Sequence, residues 1–382
     1  MRTGSMSRKG KGGQVPRWVV KTDKSPKKDK RARDSAEPEM SLEDFRSAWQ
    51  PLPDENSHSS KDYYFASYAH FGIHEDMLKD EVRTGSYMRS IMNSRHLFEG
   101  KTVLDVGSGT GILCLFAAKA GAKRCIGIEC SDIVNFARTI AEQNGFGDVI
   151  TYVHGKVEEV KLPVEQVDII ISEWMGYFLI YESMLDSVLY ARDRWLVKNG
   201  LIFPDHARLH VAAIEDADYK DEKIGFWGQL WGLDFSPLQP VVMQEPISDI
   251  VEQSGIATNV ACVLEIDLHK CRREDLDFFA AYELRATRKD FLHALVFWFD
   301  VSFRACSPPV VMSTAPGKKY THWKQTVLYF KDALVANQGD VLSGMLAVRK
   351  SEQNPRDIDI KLSYQLDGQY PHPSTVQCFR LR

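Results

Sequence analysis

One stretch constrains this chain more than any other: Val103-Leu104-Asp105-Val106-Gly107-Ser108-Gly109-Thr110-Gly111. An apolar run of this length predicts a buried strand, and the helical pattern Ile112–Ala120 follows at once. The glycines between them let the backbone approach a ligand closely. Their spacing is G-x-G-x-G, and Ile112 stands where the dinucleotide fingerprint needs its third glycine. A pyrophosphate seated on the helix N-terminus is therefore not expected. Such a turn alone can be only a strand–helix corner. Here a second apolar run, Cys125-Ile126-Gly127-Ile128, closes on Glu129, an acidic residue able to accept from both hydroxyls of a ribose.

The rhythm continues with apolar runs at Ile150–Val153 and Val167–Ile171 and a helical pattern at Ile133–Asn144. Strands alternating with helices imply a parallel sheet covered on both faces. After Pro204 the period changes to two, most clearly in Asp357-Ile358-Asp359-Ile360-Lys361-Leu362, so the rest is predicted to be mostly β. Upstream, apolar and aromatic residues between Tyr63 and Val82 predict two or three helices over 62–98. Three regions follow: a disordered basic tail over 1–60, helices with an α/β domain over 61–204, and a β domain over 205–382.

Charge divides along the same line. Residues 1–34 hold 12 Lys/Arg against 3 Asp, so of the overall −4 the remainder carries −13. An acidic body argues against a broad nucleic-acid-binding face, and no sequence-specific nucleic-acid contact is expected; a cationic substrate is compatible. The seven cysteines are scattered without a CxxC pair, so neither a disulfide scaffold nor a metal site is expected, and a reducing compartment fits. No apolar run is long enough for a membrane span, and the N-terminus has no apolar core of a secretory leader. Lys27-Lys28-Asp29-Lys30-Arg31-Ala32-Arg33 reads either as a solvated tail or as a nuclear import signal, giving an expected distribution over nucleus and cytoplasm.

The chemistry concentrates after the fourth predicted strand, in Ser172-Glu173-Trp174-Met175-Gly176-Tyr177-Phe178-Leu179-Ile180-Tyr181-Glu182-Ser183-Met184-Leu185. Glu173 and Glu182 bracket an aromatic segment at the edge where open α/β sheets bind ligands. Two carboxylates suit a guanidinium, which is planar, permanently cationic and offers donors on several edges. They also bias its charge away from one nitrogen, freeing that lone pair for an electrophile.

The glycine turn with Glu129 resembles a seven-strand class I methyltransferase core. The Ser172–Leu185 segment resembles the double-glutamate loop of protein arginine N-methyltransferases. Tyr63-Tyr64-Phe65-Ala66-Ser67-Tyr68, running into His74–Thr84, is similar to their N-terminal signature, and Thr321-His322-Trp323-Lys324-Gln325-Thr326 to their late His-Trp loop. The match runs from about residue 62 to the C-terminus and is closest to the predominant type I enzyme.

The resemblance implies a Rossmann-like domain with N-terminal helices, then a β-barrel-like domain with an inserted helical dimerisation arm at about 217–246. It implies S-adenosylmethionine as cofactor, held by Phe65, Tyr68, His74, Arg83, Asp105, Gly107, Gly109, Glu129, Val157, Glu158 and Met184, with Arg83 on its carboxylate. Glu173 and Glu182 would clamp the arginine, with His322, held by Asp80, a candidate proton acceptor. Met77, Met184, Tyr68 and Trp323 would line the arginine subsite, the methionines favouring asymmetric dimethylation. In the arm, Phe226, Trp227, Leu230 and Trp231 would form one apolar helical face for a homodimer or higher oligomer. Expected substrates are Gly/Arg-rich RNA-binding proteins and histone tails. Two alternatives remain: a catalytically weak member acting as a binding partner, and a small-molecule methyltransferase on the same core. A nicotinamide oxidoreductase is disfavoured by the failed fingerprint.

Overall fold

Helices α1 (Phe71–Lys79), α2 (Glu81–Met92) and α3 (Arg95–Phe98) lead into the α/β region. The structure, a computed structural model, describes Phe45 and residues 67–382. Asp80 separates α1 from α2: its Oδ1 accepts from the N–H groups of Val82 and Arg83, capping α2.

The α/β region runs β1 (Thr102–Val106), α4 (Ile112–Lys119), β2 (Arg124–Glu129), α5 (Val134–Gln143), β3 (Ile150–His154), β4 (Val167–Ile171), α6 (Met184–Trp195) and β5 (Leu196–Phe203). The strands form one parallel sheet in the order β3-β2-β1-β4-β5. Val103, Leu104 and Val106 on β1, and Ile169–Ile171 on β4, are all buried, because helices cover both faces of the sheet. The order reverses at β1, which places a crevice between the C-terminal ends of β1 and β4. Among the described residues this sheet has five strands where the resemblance implied seven. The chain after Phe203 pairs in the antiparallel region instead.

That region holds β6 (His206–Ile214), β7 (Ile247–Asp249), β8 (Ala261–Asp267), β9 (Phe278–Arg285), β10 (Asp290–Phe303), β11 (Val310–Ser313), β12 (Gln325–Ala336), β13 (Val341–Lys350), β14 (Ile358–Asp367) and β15 (His372–Leu381). One sheet has the order β7-β12-β10-β6-β8 with β11 on β10; the other has β15-β14-β13-β9. They meet where β8 lies beside β9 and β12 beside β15, giving the barrel-like body expected. One apolar core runs through both regions. Phe303 of β10 packs edge-on against Tyr87 of α2 at 5.0 Å between ring centroids, and Phe178 meets Phe297 of β10 at 4.8 Å. The two regions therefore share their packing energy.

Two expectations need correction. The 217–246 insertion is not one helical face: α7 (Ala217–Lys223) gives way to a 3-10 turn at Gly225–Gly228, and a short α8 (Gln239–Val242) follows later. A Cβ at position 225 would fall 2.1 Å from Asp221 Oδ1, so a larger residue there would displace the Asp221 side chain. Trp231 then sits at φ 55°, outside any helix, and is 95% exposed.

The second concerns the tail, where Phe45 is helical and fully buried. Its ring meets Phe279 of β9 edge-on at 5.9 Å, and its carbonyl accepts from the ammonium of Lys361, which lies 4.7 Å from the ring centroid. The strict alternation of β14 predicts a solvated polar face. Instead Asp359 and Lys361 are 1% exposed, and burial lowers the Lys361 pKa. The basic cluster 27–33 lies outside the described residues.

Phe45→Ala removes a fully buried ring and part of the cover over a buried ammonium. It should lower unfolding free energy by about 3–5 kcal/mol. An unchanged urea midpoint would contradict the docking of Phe45.

Candidate functional site

The glycine turn opens directly from the C-terminal end of β1. Gly107, Gly109 and Gly111 have φ of 70°, 51° and 85°, values that L side chains rarely adopt. A Cβ on Gly107 would lie 2.2 Å from Met184 Cε, and one on Gly109 would lie 3.1 Å from the His74 ring. Methionine and histidine thus close over bare backbone. Glu129, at the end of β2, is buried and braces the turn: Oε2 accepts from Gly109 N–H at 2.8 Å and Oε1 from Ser131 N–H at 2.8 Å. An ionised carboxylate offers about four lone-pair sites, so capacity remains for ribose hydroxyls. His74 Nε2 and Ser131 Oγ both bond the Tyr68 carbonyl, at 2.8 and 3.1 Å.

Below the turn, Asp105 is fully buried. Its Oδ2 accepts from the Cys114 thiol at 3.4 Å, and Oδ1 has no partner among the described residues. Burial pushes its carboxyl up to about 7, the thiol hydrogen bond opposes this, and the charge of Glu129 adds to it.

Past β4, the segment carrying both glutamates has an unusual backbone. Phe178, Leu179, Glu182 and Ser183 all have positive φ, between 53° and 73°. Such residues each cost about 1–3 kcal/mol and persist only where surroundings over-determine them. Here Tyr87 donates to the Ser172 carbonyl at 2.8 Å, Ser172 Oγ donates to the Val106 carbonyl at 2.8 Å, and Gly176 N–H donates to the Leu179 carbonyl at 3.0 Å.

Glu173 accepts from Arg83 Nε at 2.9 Å, with both side chains 8% exposed; its other oxygen, Oε1, is buried without a partner among the described residues. Glu182 Oε2 accepts from the Tyr68 hydroxyl at 2.9 Å. Arg83 thus has a protein partner that the sequence does not announce.

A third wall comes from the barrel. Asp80, besides capping α2, accepts through Oδ2 from His322 N–H at 2.9 Å and bonds His322 Nδ1 at 2.8 Å. Burial works to raise the Asp80 pKa, but the hydrogen bonds from His322 and the Arg83 N–H outweigh it and the net shift is downward. Trp323 is buried, donates from Nε1 to the Met175 carbonyl at 2.8 Å and stacks near the His322 ring.

One cleft of about 1050 Å³ gathers these residues: Tyr68, His74, Met77, Asp80, Arg83, Gly107, Gly109, Glu129, Val157, Glu158, Glu173, Glu182, Met184, His322 and Trp323. Asp105 sits behind the wall, and Phe65 lies outside the described residues. Glu158 is exposed, with Ser187 donating to it at 2.7 Å, while Val157 beside it is buried. Sequence reasoning missed Ser131 and Arg356. Ser131 follows Glu129 closely enough to have been noticed; Arg356 reaches the cleft from 174 residues past Glu182.

The chain is similar to known proteins over most of its length. Residues 103–200 match a Methyltransferase domain family and residues 205–369 the Arginine methyltransferase oligomerization subdomain. The chain is 52% identical to Protein arginine N-methyltransferase 1 of Schizosaccharomyces pombe, over 83% of this chain and 94% of that one. It is 50% identical to the Dictyostelium discoideum protein of the same name, over 86% and 96%. Among solved structures, the Trypanosoma brucei PRMT1 enzyme–prozyme heterotetrameric complex with AdoHcy superposes with a TM-score of 0.81 at 45% identity, over 83% of this chain and 100% of that one. Arabidopsis thaliana protein arginine methyltransferase 10 follows at TM-score 0.74 and 31% identity, over 83% and 99%. The chain belongs to the protein arginine N-methyltransferase family and carries that family's oligomerization subdomain.

A carboxyl whose pKa is raised on folding opposes folding once ionised. The Asp105 contribution is intact below the ordinary carboxylate range and is lost as pH rises to about 7, at up to ~1.4 kcal/mol per pH unit. Asp105→Asn should therefore gain stability relative to the parent between pH 5 and 7.5, and no more above that. Urea unfolding at each pH measures this, and parallel profiles for the two proteins would contradict a buried ionisable Asp105.

Proposed function

We propose that this chain is a type I protein arginine N-methyltransferase that uses S-adenosylmethionine and produces monomethylarginine, then asymmetric dimethylarginine. The observation that carries this reading is Glu173 Oε1, a buried carboxylate oxygen without a partner among the described residues, in a cleft shared with Glu182. Leaving such an acceptor unsatisfied costs about 1–3 kcal/mol or more for a charged group, so the site favours a ligand rich in N–H donors. A guanidinium is that ligand.

S-adenosylmethionine, when bound, supplies an electrophilic methyl group. The bare backbone at Gly107, onto which Met184 folds, and the spare acceptor capacity of Glu129 fit its adenosine. Arg83, Val157 and Glu158 complete the set that would hold it. The failed dinucleotide fingerprint agrees with a ligand lacking pyrophosphate.

Glu173 and Glu182 draw the positive charge of the arginine towards the nitrogens they bind. The remaining nitrogen recovers lone-pair density, which is the nucleophilicity the reaction needs. Arg83 orients Glu173 through its ion pair, and Tyr68 orients Glu182 by hydrogen bonding. His322, with Nδ1 held by Asp80, is placed to accept the proton that the methylated nitrogen releases. Met77 and Met184 line the cleft with slender, flexible side chains, leaving room for a second methyl on the same nitrogen.

The −13 body favours basic substrates, and Gly/Arg-rich RNA-binding proteins and histone tails are the proposed ones. The basic cluster 27–33 supports residence in both nucleus and cytoplasm. The 217–246 arm is the proposed homodimer contact, because it exposes Trp231 (95%), Leu233 (63%) and Phe226 (47%) together.

Labelled S-adenosylmethionine with an Arg-Gly-Gly peptide tests the reaction. Glu173→Gln keeps the shape and removes the charge, and should reduce turnover by about 100-fold or more. Unchanged turnover would refute the carboxylate mechanism, and fragments showing only symmetric dimethylarginine would refute the product assignment. Replacing Trp227 and Trp231 with Ser should yield monomers in sedimentation. Dimers with full activity would rule out the arm.

A further inference from the structure

Glu182 is the more demanding of the two carboxylates to place. Its own φ is 73° and that of Ser183 is 56°, both in the left-handed region, and neither is glycine. From α6, which begins at Met184, Ser183 receives only the Asp186 N–H on its carbonyl at 3.2 Å, and its side chain does not cap the helix. The constraint comes from the loop joining β13 to β14. Glu182 N–H donates to the Arg356 carbonyl at 2.9 Å, and Arg356 Nη1 donates back to the Glu182 carbonyl at 2.8 Å. Ser183 Oγ donates to the Pro355 carbonyl. Two consecutive residues of the barrel, Pro355 and Arg356, thus take both polar backbone groups of Glu182 and the side chain of its neighbour.

That loop is itself rigid. Asn354 Nδ2 donates to Asp357 Oδ1 at 2.8 Å, Asp357 N–H returns to the Asn354 carbonyl at 3.0 Å, and Arg356 N–H reaches Asn354 Oδ1 at 3.3 Å. Asn354 and Asp357 are buried. A closed turn therefore presents Arg356 at a set height against the glutamate loop. Both lie on the wall of the same cleft.

We propose that Arg356 is a positioning residue for the reaction: through its carbonyl and its guanidinium, both bonded to the Glu182 main chain, it holds Glu182 in the left-handed conformation that turns its carboxylate to the arginine subsite. The proposal rests on the reading of Glu182 as a guanidinium-binding carboxylate. It explains why one wall of the site comes from the barrel and not from the methyltransferase region. The energy that sustains two strained residues is supplied by a domain whose strands contribute no group to the cofactor turn.

The test is kinetic and uses the full-length protein. Arg356→Ala should lower kcat/KM for an Arg-Gly-Gly peptide by about 10- to 100-fold, the cost of a small misplacement of a reacting group. Calorimetric affinity for S-adenosylhomocysteine should stay within about twofold, because Glu129 is held by Gly109 and Ser131 and not by the Glu182 loop. Arg356→Lys retains a cationic donor and should recover most of the loss. In a Glu182→Gln background, adding Arg356→Ala should cost little more, since an effect transmitted through Glu182 cannot be lost twice. Wild-type kinetics in Arg356→Ala would overturn the proposal. So would an equal, multiplicative loss in the Glu182→Gln background, or loss of cofactor affinity with no recovery by lysine. Full activity in Glu182→Gln alone would sink the reading of Glu182 beneath it, a failure distinct from that of Arg356.

Discussion

Two carboxylates must face one cavity without a cation between them, and most of the local structure follows from that requirement. Like charges in a low-dielectric cleft repel and would protonate or turn away unless each is held. Glu173 is held by charge, on Arg83, whose helix is in turn capped by Asp80. Glu182 is held by hydrogen bonds, on the Tyr68 hydroxyl at its tip and the Arg356 loop at its backbone. The two anchors are chemically different, and one oxygen of Glu173 has no partner among the described residues.

Asp80 joins three parts of the molecule through one side chain. Oδ1 starts α2, and Oδ2 holds both the backbone and the ring of His322 on the barrel side. Arg83 stands one turn beyond that cap and reaches Glu173 after β4. The start of α2, the counter-charge of Glu173 and the His322 ring are therefore set relative to one another. The continuous core beneath, with Phe178 on Phe297 and Tyr87 on Phe303, keeps the two sheets from shifting independently.

Much of this was legible because it is local. A strand, a glycine turn and an acidic residue at the end of the next strand lie within one βαβ unit, where spacing alone dictates geometry. The pair Glu173 and Glu182 was legible for the same reason. The late His-Trp loop was recognisable only by resemblance. Its tie to Asp80 spans 242 residues and has no periodic signature. The arm was misread because apolar residues at helical intervals outweighed Gly225 and Gly228, while the chain turns tightly at Gly225. Phe45 was misread because a single anchor in a polar tail looks no different from a solvated aromatic until its pocket is known.

By itself the sequence determined the parallel sheet, the change to antiparallel strands after Pro204, the glycine cradle and the identity of the two carboxylates. These depend on periodicity and short-range spacing, which survive in one dimension. Only the tertiary structure decided which partner each carboxylate takes, that Arg356 braces Glu182, that Lys361 is buried beneath Phe45, and that five strands close the parallel sheet. Each of those is a contact between distant segments, and its energy depends on burial and approach distance, which no local pattern encodes.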